Sequence, residues 1–78
     1  MSRIRTTQQL GQLLRADRKQ LGLTQSQLAL EAGVGLRFIV DLEAGKPTLR
    51  LETVLKVIDA LGGAINLTGL PVSIKEWS

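Results

Sequence analysis

An all-α fold of four to five short helices, followed by a short C-terminal β-strand, is what the amino-acid sequence predicts. Three observations lead to it. Apolar residues recur at three- and four-residue spacing in four stretches between Leu10 and Leu61, each stretch runs into a glycine, and beyond Gly62-Gly63 the spacing turns from helical to alternating. The chain has 78 residues and no cysteine, so one small core must hold it without cross-links and a lone copy is only marginally stable.

The first helix starts at Thr6 or Thr7, with Gln9 as capping-box partner, places Leu10, Leu13, Leu14 and Leu21 at helical spacing, and closes at Gly22. Before it, Arg3 and Arg5 lie on a polar lead that reads either as a phosphate-tracking arm or as a solvated end. The second helix spans about residues 24–32: Thr24 caps it, Gln27 reaches back to the cap amide, and Leu23 and Leu28 form a hydrophobic staple across the start. Gly33 supplies a turn. The third helix, about residues 36–44, buries Ile39 and Leu42 and is stopped by Gly45 and Pro47. A fourth, about residues 51–61, carries Leu51, Val54, Leu55, Ile58 and Leu61 on one face, with Glu52 near its positive end. Ile65 and Leu67 then alternate with Asn66 and Thr68, which is the period of a strand.

Two short helices joined by a glycine-bearing turn make a helix-turn-helix. The residues Thr24-Gln25-x-x-Leu28-Ala29, then Gly33-Val34, Ile39 and Leu42-Glu43-x-Gly45-Lys46, resemble the Cro-repressor-like (XRE) helix-turn-helix family over roughly residues 7–61. Helix 4 and the strand-like Ala64-Ile-Asn-Leu-Thr68 are similar in layout to the HipB-type antitoxin branch. The resemblance implies a lambda-repressor-like DNA-binding domain over residues 1–63 and a dimerisation strand and tail over residues 64–78. It also implies that Arg18 pairs with Glu43, that Gln25 grips a phosphate, and that the protein is an antitoxin repressing its own operon and sequestering a HipA-type serine/threonine kinase toxin.

In such a unit the second helix enters the major groove, and with Ile39 and Leu42 turned inward the groove is left to Gly35, Leu36, Arg37, Val40 and Asp41. A guanidinium donates two parallel bonds to guanine O6 and N7, so Arg37 reads as the base reader, with a phosphate contact as its plainer alternative. Asp41 either accepts from a cytosine amino group or rejects wrong bases. Leu36 suits a thymine methyl, whereas Phe38 reads as core. Thr24 and Gln25 at the second helix start, with Lys46 and Arg50 beyond the third helix, are the expected phosphate contacts. Gly35 stands where many relatives carry Ser or Thr as a cap, which loosens the start of the third helix.

A lone strand leaves its backbone groups unpaired, so residues 64–68 need a partner edge. The reading favoured is an antiparallel ribbon with a second copy, pairing the Asn66 regions and merging Ile65 and Leu67; the alternative is a hairpin with residues 72–74. Trp77, the only tryptophan, either anchors in a pocket of a partner protein or packs back on the domain.

There is no His, Cys or Tyr and no glycine-rich phosphate loop, so enzyme chemistry, metal and cofactor are not expected. Ten Lys and Arg against seven Asp and Glu give a net charge of +3, which favours a polyanionic partner. No apolar run approaches a membrane span or a secretory leader, so a soluble, cytoplasmic protein is expected. The expected partners are a near-palindromic duplex operator, a second copy, and the kinase toxin. A free-standing or phage-type repressor without a toxin, or a protein-interaction module on the same fold, are the alternatives.

Overall fold

The computed structural model describes residues 4–63, which form four helices: α1 (Thr7–Gln20), α2 (Gln25–Ala32), α3 (Leu36–Glu43) and α4 (Leu51–Ala60). The strand and tail expectations on Ile65, Asn66, Leu67 and Trp77 lie outside the described residues, as does Arg3.

The helix starts follow from local chemistry. Thr6 and Thr24 each accept from the amide three residues on, and Gln9 and Gln27 return a side-chain bond to the cap amide, giving complete capping boxes on α1 and α2. The ends share a device. Gly33 sits at φ 70°, its amide donates to Leu30 O at 3.2 Å, and Val34 donates to Ala29 O at 3.0 Å, the paired bonds of a Schellman motif. The same two bonds close α1 at Gly22, α3 at Gly45 and α4 at Gly62.

α2 packs on both α3 and α4, and α1 lies against α3. The centre of the core is one residue from each of three helices, Leu28, Ile39 and Val57, all fully buried and each contributing about 1.5–3 kcal/mol. Leu14, Ala29, Leu42 and Val54 complete it, with Leu10, Leu23, Val34, Phe38, Leu49 and Ile58 packed around them. Helices of eight to fourteen residues have little stability alone, so this shared core is what holds each of them.

Helical spacing marks more apolar positions than the core buries. Leu13 and Leu21 of the first helix are exposed, and on α4 so are Leu51 and Leu55, at 66% and 42%. The buried residue there is Val57, which the predicted face omitted. The apolar arc of α4 is wider than one core can cover, and the domain buries its Val54–Val57 edge.

Candidate nucleic-acid interface

Ile39 and Leu42, at 0% and 3% exposure, anchor α3 and fix which way it faces. Residues half a turn away, Arg37, Val40 and Asp41, therefore lie on the outer side, with Leu36 at the exposed start. Gly35 caps α3 without a side-chain bond, and Phe38 is half-buried against the core.

The exit of α3 is clamped to α1 at three points. Gly11 lies so close to the carbonyls of Leu42 and Glu43 that a Cβ there would meet Leu42 O and stand 2.8 Å from Glu43 O. Thr7 Oγ1 donates to Gly45 O at 2.7 Å, and Gly45, at φ 86°, leaves only 2.8 Å between a would-be Cβ and Gln8 Cα. The third point is ionic: Arg18 Nε donates to Glu43 Oε2 at 2.6 Å, with both side chains more than nine-tenths buried. No side-chain polar atom is left buried and unpartnered among the described residues.

Glu43 also receives Gln25 Nε2 at 3.2 Å on Oε1, so the first residue of α2 is held by the last residue of α3. The site therefore joins three helices through one carboxylate, and the position of Gln25 depends on it. Thr24 is exposed and its hydroxyl serves the cap. Lys46 and Arg50 are exposed beyond α3, with Arg50 at the start of α4. Arg37 is 85% exposed and pairs with Asp41 Oδ1 at 3.2 Å, while Lys46 Nζ lies 3.7 Å from Asp41 Oδ2. Thus Thr24, Gln25, Gly35, Leu36, Arg37, Val40, Asp41 and Lys46 all belong to α2, α3 or their flanks.

Sequence reasoning missed three positioning residues: Gly11, Thr7 and Arg15. Arg15 Nε lies 4.0 Å from Glu43 Oε1 on a half-exposed side chain, one turn before Arg18. That spacing on α1 was its only signal in the sequence. No cluster of metal-ligating residues and no helix fit to cross a membrane occurs among the described residues.

A helix-turn-helix family model, HTH_3, matches residues 14–67, which include the whole α2-turn-α3 unit. The chain belongs to the XRE-type helix-turn-helix family. It is 54% identical over 65 residues to y4mF, an HTH-type transcriptional regulator of Sinorhizobium fredii, covering 83% of this chain and 86% of the relative. Among solved structures it is similar to a HipB chain of the HipA-HipB-O2-O3 complex, with TM-score 0.81 and 27% identity over 91% of this chain and 100% of the other. It is also similar to the restriction-modification controller protein C.AhdI of Aeromonas hydrophila, with TM-score 0.68 and 31% identity over 74% of this chain and 88% of that one. The regulator is a DNA-binding protein of transcription control.

Proposed function

We propose that this regulator is a sequence-specific repressor that binds a near-palindromic operator as a homodimer and represses its own operon. In this reading Arg37 reads a guanine in each half-site, Leu36, Val40 and Asp41 line the groove, and Gln25, Thr24, Lys46 and Arg50 position the phosphates. The observation that carries it is the fixed outward face of α3, held by Gly11, Thr7 and Arg18 on one side and by the core on the other. Exposed Leu51 and Leu55 on α4 support a second copy, because they are apolar surface that one domain leaves uncovered. In this reading the alternating residues 64–68 pair with those of the second copy.

The same reading makes the regulator the antitoxin of a HipA-type serine/threonine kinase, supported by the likeness to HipB along the full length of that chain. Trp77 is then the anchor for the kinase. Sequencing the adjacent reading frames and co-purifying the neighbouring product tests this directly. A kinase that co-purifies with the full chain, and blue-shifts the Trp77 emission on binding, supports the antitoxin role. The likeness to C.AhdI favours the second reading, a controller protein without a toxin; no kinase gene beside this one and no tryptophan shift decide for it.

A further inference from the structure

Asp41 is the fixed member of a three-residue ionic group on the outer side of α3. Its Oδ1 lies 3.2 Å from Arg37 Nε and its Oδ2 3.7 Å from Lys46 Nζ. The backbone builds in the second neighbour, because Lys46 N donates to Asp41 O at 3.0 Å in the bond that ends α3. The carboxylate is only 18% exposed, whereas both cations stand on long, exposed stems. Arg37 and Lys46 can therefore swing away from Asp41, but Asp41 cannot follow them.

We propose that Asp41 is an internal counter-ion that holds down the sequence-independent affinity of this regulator for DNA, releasing Arg37 and Lys46 only to a site that offers acceptors better placed than its own. The inference rests on α3 being the groove helix. Non-specific affinity comes from cations that neutralise phosphates and set free the condensed counter-ions. A cation already paired with Asp41 exchanges one anion for another on a random duplex and gains little. At the operator the exchange favours DNA, since guanine accepts two parallel bonds from one guanidinium. Specificity is the difference between the two affinities, and Asp41 widens it by lowering the wrong one.

The test uses random-sequence duplex and so requires no knowledge of the operator. The full chain, Asp41→Asn, Asp41→Ala and a charge control, Asp59→Asn, are titrated between 0.05 and 0.3 M salt; Asp59 is exposed on the last turn of α4 and has no ion pair among the described residues. Either Asp41 variant is expected to steepen the salt dependence by about 0.9 in log–log slope for each DNA-bound subunit and to raise affinity about eightfold per subunit at 0.1 M salt. Asp59→Asn is expected to give less than half that slope change. Arg37→Ala, nearly neutral on random duplex in the parent, is expected to cost severalfold in the Asp41→Asn background. Equal effects of Asp41→Asn and Asp59→Asn, or an Arg37→Ala cost that is the same in both backgrounds, overturn the inference. Random-duplex affinity and salt slope unchanged in both Asp41 variants also overturn it and return Asp41 to a base contact. Parent protein that binds no duplex in a salt-dependent way overturns the groove-helix reading itself, a result distinct from either of these.

Discussion

Arg18 and Glu43 meet side by side, Nε to Oε2 at 2.6 Å and Nη2 to Oε1 at 3.1 Å, while the third nitrogen of the same guanidinium donates to Leu23 O at 2.7 Å. Leu23 is the residue before the α2 cap, and Glu43 is the last residue of α3. One arginine on α1 thus sets both ends of the helix-turn-helix.

Removing one partner strands the other in a site that excludes water. Arg18→Met and Glu43→Leu are each expected to cost about 3–5 kcal/mol of unfolding free energy, whereas the double variant recovers a large part of the loss. Urea titrations of the four proteins give the coupling. Single losses below about 1 kcal/mol would reduce the pair to the status of a surface bridge.

Gly11→Ala inverts the usual rule for helices. Replacing a helical glycine with alanine ordinarily stabilises by about 1 kcal/mol. Here the methyl group meets the carbonyls of Leu42 and Glu43, so we expect a loss of about 2 kcal/mol and weaker DNA binding as α3 shifts. Gly35→Ser is the opposite case: the position is open and the hydroxyl caps α3, giving a gain of a few tenths of a kcal/mol. Thermal unfolding of both variants checks the pair of signs.

These two glycines also mark what could be read in advance. The caps Thr6 with Gln9 and Thr24 with Gln27, and the Gly33 turn, act over three or four residues, so spacing alone reveals them. The outward set on α3 follows from Ile39 and Leu42 by the same periodicity. Gly11 is different, because its meaning lies in a carbonyl on another helix. Val57 was missed for a related reason: apolar residues cover a wide arc of α4, and which edge faces the core is decided by how α2 packs, not by the arc. The double engagement of Asp41 by Arg37 and Lys46 depends on the α3 exit turn, which brings Lys46 back alongside the helix.

Association is expected to depend on α4 and on residues 64–68. Leu55 is exposed in the single domain, so Leu55→Glu leaves the fold intact and weakens the dimer. Leu67→Lys is expected to do the same. Sedimentation at micromolar concentration reads both: two chains for the parent, a shift toward one for each variant, with DNA binding falling in step. A parent that sediments as one chain contradicts the dimer.

Arg37 and Lys46 separate by what they recognise. Arg37→Ala is expected to cost about 1–3 kcal/mol on the operator and to relax preference at one base pair per half-site. Lys46→Ala is expected to leave base preference unchanged; on random duplex, where Asp41 holds the lysine, its cost and its flattening of the salt dependence are expected in the Asp41→Asn background. Competition binding at two salt concentrations distinguishes them, and equal losses for Arg37→Ala on both duplexes make it a phosphate contact.

Selection of binding sites from a random duplex pool, run with the parent and with Arg37→Ala, tests the central claim that α3 reads sequence in a paired major groove. The parent is expected to enrich a near-palindrome with half-sites about 34 Å, one helical turn, apart. The variant is expected to lose a guanine preference at one symmetric position in each half. An enriched site without twofold symmetry, or an unchanged site for Arg37→Ala, would contradict the account.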